Sequence, residues 1–128
     1  MTGNPNNVLN KDSTKLKIII GTTAFTATLY NNPTVTAFKT TLPMTVNMRD
    51  LNANEKYFDL PDNLPAHASN PGTIQAGDLM LYGSNTLVVF YRSFSTSYSY
   101  TPIGRIDDIA GLNSALGSGN VTVTFALQ

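Results

Sequence analysis

Residues 77–94 read GDLMLYGSNTLVVFYRSF. Leu79 and Leu81 alternate with Met80 and Tyr82, and Gly83-Ser84-Asn85 breaks the run. Leu87, Val89 and Tyr91 then alternate with Val88, Phe90 and Arg92. Two period-2 segments around a glycine-bearing turn predict a β-hairpin. Both faces of each segment are apolar up to their ends, so the hairpin is expected to be central in its sheet. An arginine closes this apolar run, and the aromatics Phe94, Tyr98 and Tyr100 follow it.

The flanking sequence extends the β pattern. In KLKIII (15–20), Leu16, Ile18 and Ile20 share one face; in AFTATLY (24–30), Phe25, Ala27 and Leu29 do the same. With Gly21-Thr22-Thr23 between them, they predict a second hairpin. MTVNM (44–48) places Met44, Val46 and Met48 together, RDLNANE (49–55) reads as a turn, and KYFDL (56–60) as a short strand. NVTVTFALQ (120–128) is the clearest strand, with Val121, Val123, Phe125 and Leu127 on one side.

Two segments change period. In NNPTVTAFKTTLP (31–43), Asn32 is a candidate N-cap and Pro33 suits the first helical position. Val35, Phe38 and Leu42 fall on one helical face, and Pro43 disfavours continuation. DDIAGLNSALGSG (107–119) places Ile109, Leu112 and Leu116 on one face, with Asp107 or Asp108 as cap and Gly117 at the left-handed C-terminal position. Helices are therefore expected over 32–42 and 108–116. About eight strands with one early and one late helix exclude a doubly wound sheet. They favour a mainly antiparallel sheet or barrel with helices over its openings.

The 128 residues are most simply one domain, 15–128, behind an aperiodic tether, 1–14. A chain of this length can bury about two-thirds of its unfolded surface, so a core needs no staples. The absence of cysteine removes disulfide frameworks, cysteine zinc sites and thiol catalysis. Eight basic and eight acidic residues balance, and no basic run marks a nucleic-acid partner. No apolar stretch approaches the ~20 residues of a membrane span. Ser, Thr and Asn together number 40 against 16 charged residues, so solubility rests on neutral polar groups. That surface and the Asn-rich tether favour an extracytoplasmic location, secreted or tethered, although a β-rich protein shows the same threonine bias. The tether lacks the apolar core of a signal peptide. It fits either a frayed terminus or a start placed after a removed export signal.

Candidate chemistry is sparse. His67 is the one histidine and lies in a proline-rich loop (61–78), so no multi-ligand metal site and no cofactor is expected. Asp107 and Asp108 pair as carboxylates, but their place before a helix favours capping. Ser84 has no nucleophile elbow around it. GSG at 117–119 follows a helix instead of opening one, so it does not read as a phosphate cradle. No catalytic residue is assigned. The loop is long enough to be functional or to be a plain crossover.

The order of elements resembles that of cyclophilins: two strands, a helix, a run of strands, a second helix and a last strand. Gly77 and Leu79 resemble the family's Gly-x-Leu segment, and GSNT (83–86) its Gly-x-Asn-Thr turn before a strand with paired aromatics, here Phe90 and Tyr91. The small bacterial cyclophilin-like proteins are the closer likeness, through EKYF (55–58), NPGTIQAGD (70–78) and IGRI (103–106). The resemblance implies a mainly β fold, a closed cyclophilin-like barrel of about eight strands with two capping helices. Prolyl isomerisation in cyclophilins relies on an Arg in a Phe-His-Arg segment, a Gln two residues before the active-site Phe, and usually a Trp. Here Phe-His-Arg is absent, Val88 takes the place of the Gln, and there is no Trp.

The expected function is therefore non-catalytic binding of a peptide or small molecule at an aromatic-lined barrel face. The alternatives are a peptidyl-prolyl isomerase and a surface interaction scaffold. Glu55, Tyr57, Tyr82, Phe90 and Arg92 are the candidate ligand-binding residues. Arg92 has a plainer reading too, as an edge arginine stacked on tyrosine or paired with Asp59 or Asp78.

Overall fold

Alternation decides which side chains fill the molecule. The computed structural model describes residues 14–128, so the tether read at 1–14 lies, apart from Thr14, outside the described residues. The strands are β1 (Lys15–Ile20), β2 (Thr23–Leu29), β3 (Met44–Leu51), β4 (Glu55–Asp59), β5 (Thr73–Ile74), β6 (Asp78–Tyr82), β7 (Thr86–Phe90), β8 (Phe94–Ser95), β9 (Thr101–Ile106) and β10 (Val121–Leu127). The helices are α1 (Pro33–Lys39) and α2 (Leu112–Leu116). Eight strands close an antiparallel barrel in the order β1-β10-β3-β4-β7-β6-β9-β2, and β5 with β8 forms a separate ribbon. The mainly β closed barrel expected from the sequence is thus the observed fold.

The inward set includes Leu16, Ile18, Phe25, Ala27, Met48, Leu79, Leu81, Leu87, Val89, Val123 and Phe125 in one buried cluster. Apart from Tyr82 and Thr86 beside its turn, the outward residues of the central hairpin are buried as well. Met80, Val88 and Phe90 join Ile74 and Tyr100 in a second cluster outside the barrel, flanked by Tyr57 and Phe94. This explains the two-faced apolarity of residues 77–94. A closed barrel has no centre and no edge; the hairpin is apolar on both sides because the β5–β8 ribbon and the segment before β9 cover its outer face.

Each helix connects strands at one end of the barrel: α1 joins β2 to β3, and α2 joins β9 to β10 at the opposite end. Asn32 caps α1, its Oδ1 accepting from Val35 N at 2.8 Å, and Pro33 opens it. With seven residues, two of them threonine, α1 is held by packing rather than propensity. Val35 and Phe38 are buried, and Phe38 meets Phe125 edge-on at 6.3 Å.

Three local readings are corrected. Arg49, Asp50 and Leu51 belong to β3, and the turn is confined to Asn52, Ala53 and Asn54, because Arg49 to Leu51 pair with Tyr57 to Glu55. The second helix starts only at Leu112, with Gly111 at its N-cap and no side-chain cap. Asp107 is drawn elsewhere: Lys15 Nζ donates to it at 2.9 Å and Thr28 Oγ1 at 2.6 Å, which holds its carboxyl below the usual range. Asp108 caps only the turn before the helix, accepting from Ala110 N, and Ile109 is exposed. The proline-rich loop contains β5.

Two glycines in the motifs have steric reasons. Gly77 has φ +96°, and a Cβ there would lie 2.7 Å from Ile109 Cγ2. A Cβ on Gly104, within IGRI, would lie 2.5 Å from the carbonyl oxygen of Thr28, where β9 pairs with β2.

Candidate functional site

Strand β4 presents opposite chemistry on its two faces. Lys56 and Phe58 point into the barrel, while Glu55, Tyr57 and Asp59 point outward and line a cavity of about 510 Å³. Thr86 and Val88 of the neighbouring β7 continue this wall. Residues 94–98 and Tyr100 form the opposing side, and the β3–β4 turn closes one end through Leu51, Asn52 and Asn54. Tyr82 lies at the far end of β6. Five aromatic residues line the space: Tyr57, Tyr82, Phe94, Tyr98 and Tyr100.

The rings are organised by one another. Phe90 meets Tyr100 edge-on at 5.4 Å and Phe94 at 5.7 Å; Tyr82 meets Tyr100 at 5.7 Å and Tyr98 at 6.2 Å. Tyr82 and Tyr98 are 47% and 62% exposed, so they form a rim over a buried base. The loop fixes the opposing wall. Ser69 and Tyr100 exchange backbone hydrogen bonds at 3.0 and 2.9 Å, and Asn70 Nδ2 donates to the carbonyl of Ser97 at 3.1 Å.

Three of the residues singled out in the sequence, Glu55, Tyr57 and Tyr82, line the cavity. Phe90 is fully buried and supports Tyr100 and Phe94 from behind. Arg92 is exposed just beyond β7 and outside the lining. Neither acid considered as its partner pairs with it: Arg105 Nε donates to Asp78 at 2.9 Å, and Thr86 Oγ1 donates to Asp59 at 2.8 Å. The arginine therefore stands where the buried strand ends and the chain meets water.

Glu55 is the electrostatic anomaly. Its carboxyl is pushed up to about 7, chiefly by desolvation and secondarily by the charge of Asp50. Desolvation and the nearby Glu55 charge also raise the Tyr100 phenol. Asp50 behaves oppositely. A hydrogen bond from the Tyr91 hydroxyl, with Lys56 and the Ala53 N–H, holds it below the usual carboxylate range. Tyr91 is itself pushed up to about 12 by burial and by Asp50.

Sequence reasoning missed Asp59, Thr86 and the β3–β4 turn. Period 2 from Glu55 and Tyr57 would have reached Asp59. It missed Lys56 as well, which is 0% exposed. Its ammonium donates to the carbonyls of Gly117 at 3.0 Å and Gly119 at 2.6 Å, pairs with Asp50 at 3.1 Å, and lies 5.4 Å from the Tyr91 ring centroid. Nothing local in EKYF distinguishes an inward lysine from an outward one. No group of three or more potential metal ligands occurs among the described residues.

A closed antiparallel barrel of eight strands with a helix at each end is a cyclophilin-like barrel. The profile of the Cyclophilin-like family matches residues 18–126, and the chain belongs to that family. The solution structure of the hypothetical protein AF2241 from Archaeoglobus fulgidus is similar, with a TM-score of 0.60 at 16% identity. The alignment covers 91% of this chain and 95% of that one, and at this identity the likeness shows the fold alone. No curated protein matches the chain.

Proposed function

We propose that the domain is a non-catalytic binding module that takes a peptide or small molecule in the aromatic cavity outside the barrel. One observation carries this: a concave space of about 510 Å³ lined by five aromatic residues. Small-molecule sites span roughly 300–1,000 Å³ and combine apolar walls with few polar groups. A flat, solvated surface would have suited an interaction scaffold instead. Ligand-observed NMR with proline-containing peptides and a fragment library tests the reading. Binding is expected in the wild type and should be lost in Tyr57→Ala. Absence of any binder, or binding indifferent to Tyr57→Ala, would sink it. Phe90→Ala is the poorer probe, because that ring supports the fold.

We infer that the site does not catalyse prolyl isomerisation, because its lining carries no cationic donor. Amide rotation faces a barrier of roughly 20 kcal/mol. Lowering it calls for a donor aimed at the prolyl amide, worth about tenfold in rate per ~1.4 kcal/mol. No lysine, arginine or histidine lines the cavity, and an apolar groove that binds ground and transition states equally gains no rate. A coupled assay on an Ala-Pro-Phe peptide should show no acceleration at micromolar protein. Acceleration that disappears in Arg92→Ala would overturn this. The low-charge surface supports an extracytoplasmic location, which fractionation of the native organism tests.

A further inference from the structure

We propose that the cavity selects an organic cation, an alkylammonium or guanidinium group, either free or as the lysine or arginine side chain of a peptide. This rests on the cavity being a binding site and adds its ligand class.

Three observations carry it. The charged residues of the lining are Glu55 and Asp59, both acids. Tyr57, Tyr82, Tyr98 and Tyr100 surround the same space, and the negative face of an aromatic ring attracts ammonium and guanidinium groups. Acceptors are left open. The Glu55 carboxyl makes no hydrogen bond or ion pair with any described residue, whereas the Asp59 carboxyl is engaged by Thr86. The adjacent Asn54, also in the lining, has a buried Oδ1 without a partner among the described residues. A cation brings donors to these acceptors. An anion would face two carboxyls, and a neutral apolar group would deepen the desolvation of Glu55.

The surroundings of Glu55 leave room for that charge. Asp50 on β3 is held by Tyr91 and Lys56, and Lys56 is turned into the barrel and engaged there. Arg49, opposite Tyr57, and Arg92, after β7, are both exposed and outside the lining. Tyr57, Asp59, Tyr82, Tyr98 and Tyr100 complete the groups that face the space, and none is cationic. With Glu55 titrating near 7, a cation prefers the ionised carboxylate and a neutral ligand the protonated acid. Cation affinity should therefore rise with pH through neutrality, and neutral-ligand affinity should fall.

The test is calorimetric and NMR titration of the full chain at pH 5.5 and 8. The free probes are n-butylammonium, n-butylguanidinium and neutral 1-pentanol; the peptide probes are Ac-Ala-Lys-Ala-amide and its norleucine counterpart. At pH 8 the cationic member of each set should bind about tenfold more tightly than its neutral counterpart. The preference should shrink at pH 5.5 and vanish in Glu55→Gln, and wild-type cation binding at pH 7 should release protons in paired buffers. A peptide-only preference would assign the lysine side chain; a preference among the free probes would assign the isolated head group. If neutral probes bind as tightly at pH 8, or if no proton is released, the cation assignment falls while the binding site stands. If no probe binds, both fall.

Discussion

Glu55 and Lys56 are consecutive on β4 and face opposite worlds. Inward, Lys56 is sealed at the α2 end of the barrel, and its three donors match three acceptors: two carbonyls and the Asp50 carboxylate. Outward, Glu55 is substantially desolvated and has no such partner, so its carboxyl titrates near neutrality. A satisfied buried charge acts as a structural tie, because removing one member strands the others. A carboxyl left without a partner costs stability whenever it ionises, and it is available to something outside the chain.

Substitutions on either face of the sheet test that contrast. Lys56→Met should be the most damaging, costing about 3–5 kcal/mol in urea unfolding, because Asp50 and two glycine carbonyls lose their donor. Adding Asp50→Asn should recover part of the loss, and strict additivity would contradict the network. On the outer face, Phe90→Ala should cost about 3 kcal/mol, since its ring is fully buried. Tyr82→Ala, at the exposed rim, should cost less than about 1 kcal/mol while weakening ligand binding. Equal costs at the two positions would deny the division into support and rim.

Glu55→Gln should act in the opposite direction and depend on pH. The folded carboxyl titrates near 7 against an ordinary 4.5. Below the lower value both states are protonated. Between the two values the unfolded state releases its proton first, so the wild type loses stability as pH rises through that window. The Gln variant escapes that loss. It should gain on the order of 1 kcal/mol over the wild type at pH 8, once solvent screening of this partly exposed group is allowed for, and nothing at pH 4. A pH-independent difference would mean that Glu55 is not strained by its surroundings. The smallest change concerns the turn between β3 and β4. Ala53 has φ +54°, a left-handed conformation that costs an alanine about 1–2 kcal/mol. Ala53→Gly should raise the unfolding midpoint by the equivalent of about 0.5 kcal/mol net of glycine's entropy.

The barrel was legible because period 2 survives wherever a sheet has a wet or a covered face. Leu16, Ile18 and Ile20, like Val123 and Phe125, lie inward as their spacing predicts. The two-faced hairpin was legible as buried but not in its cause, since the cover comes from β8 and Tyr100 after it and β5 before it, beyond any local window. Helical spacing misled at Ile109, where Gly111 delays α2 and Asp107 is drawn off to Lys15 and Thr28. At the cavity, aromatic composition pointed to Tyr57 and Tyr82. The exclusion of Arg92 depends on where β7 ends, and the burial of Lys56 on a loop some sixty residues away.

The place of β10 in the barrel has a consequence in time. It lies between β1 and β3, pairing Leu16 with Leu127 and Met44 with Phe125. During synthesis β1 and β3 are therefore made long before the strand that joins them. Until residues 121–127 leave the ribosome, the sheet stays open, and two apolar strands present unpaired backbone to any neighbouring chain. Ring closure must also await contacts more than a hundred residues apart, the slow class of event in folding. A nascent chain halted at Asn120 should be sticky and protease-sensitive, and the last seven-residue strand should convert it to a closed, protected form.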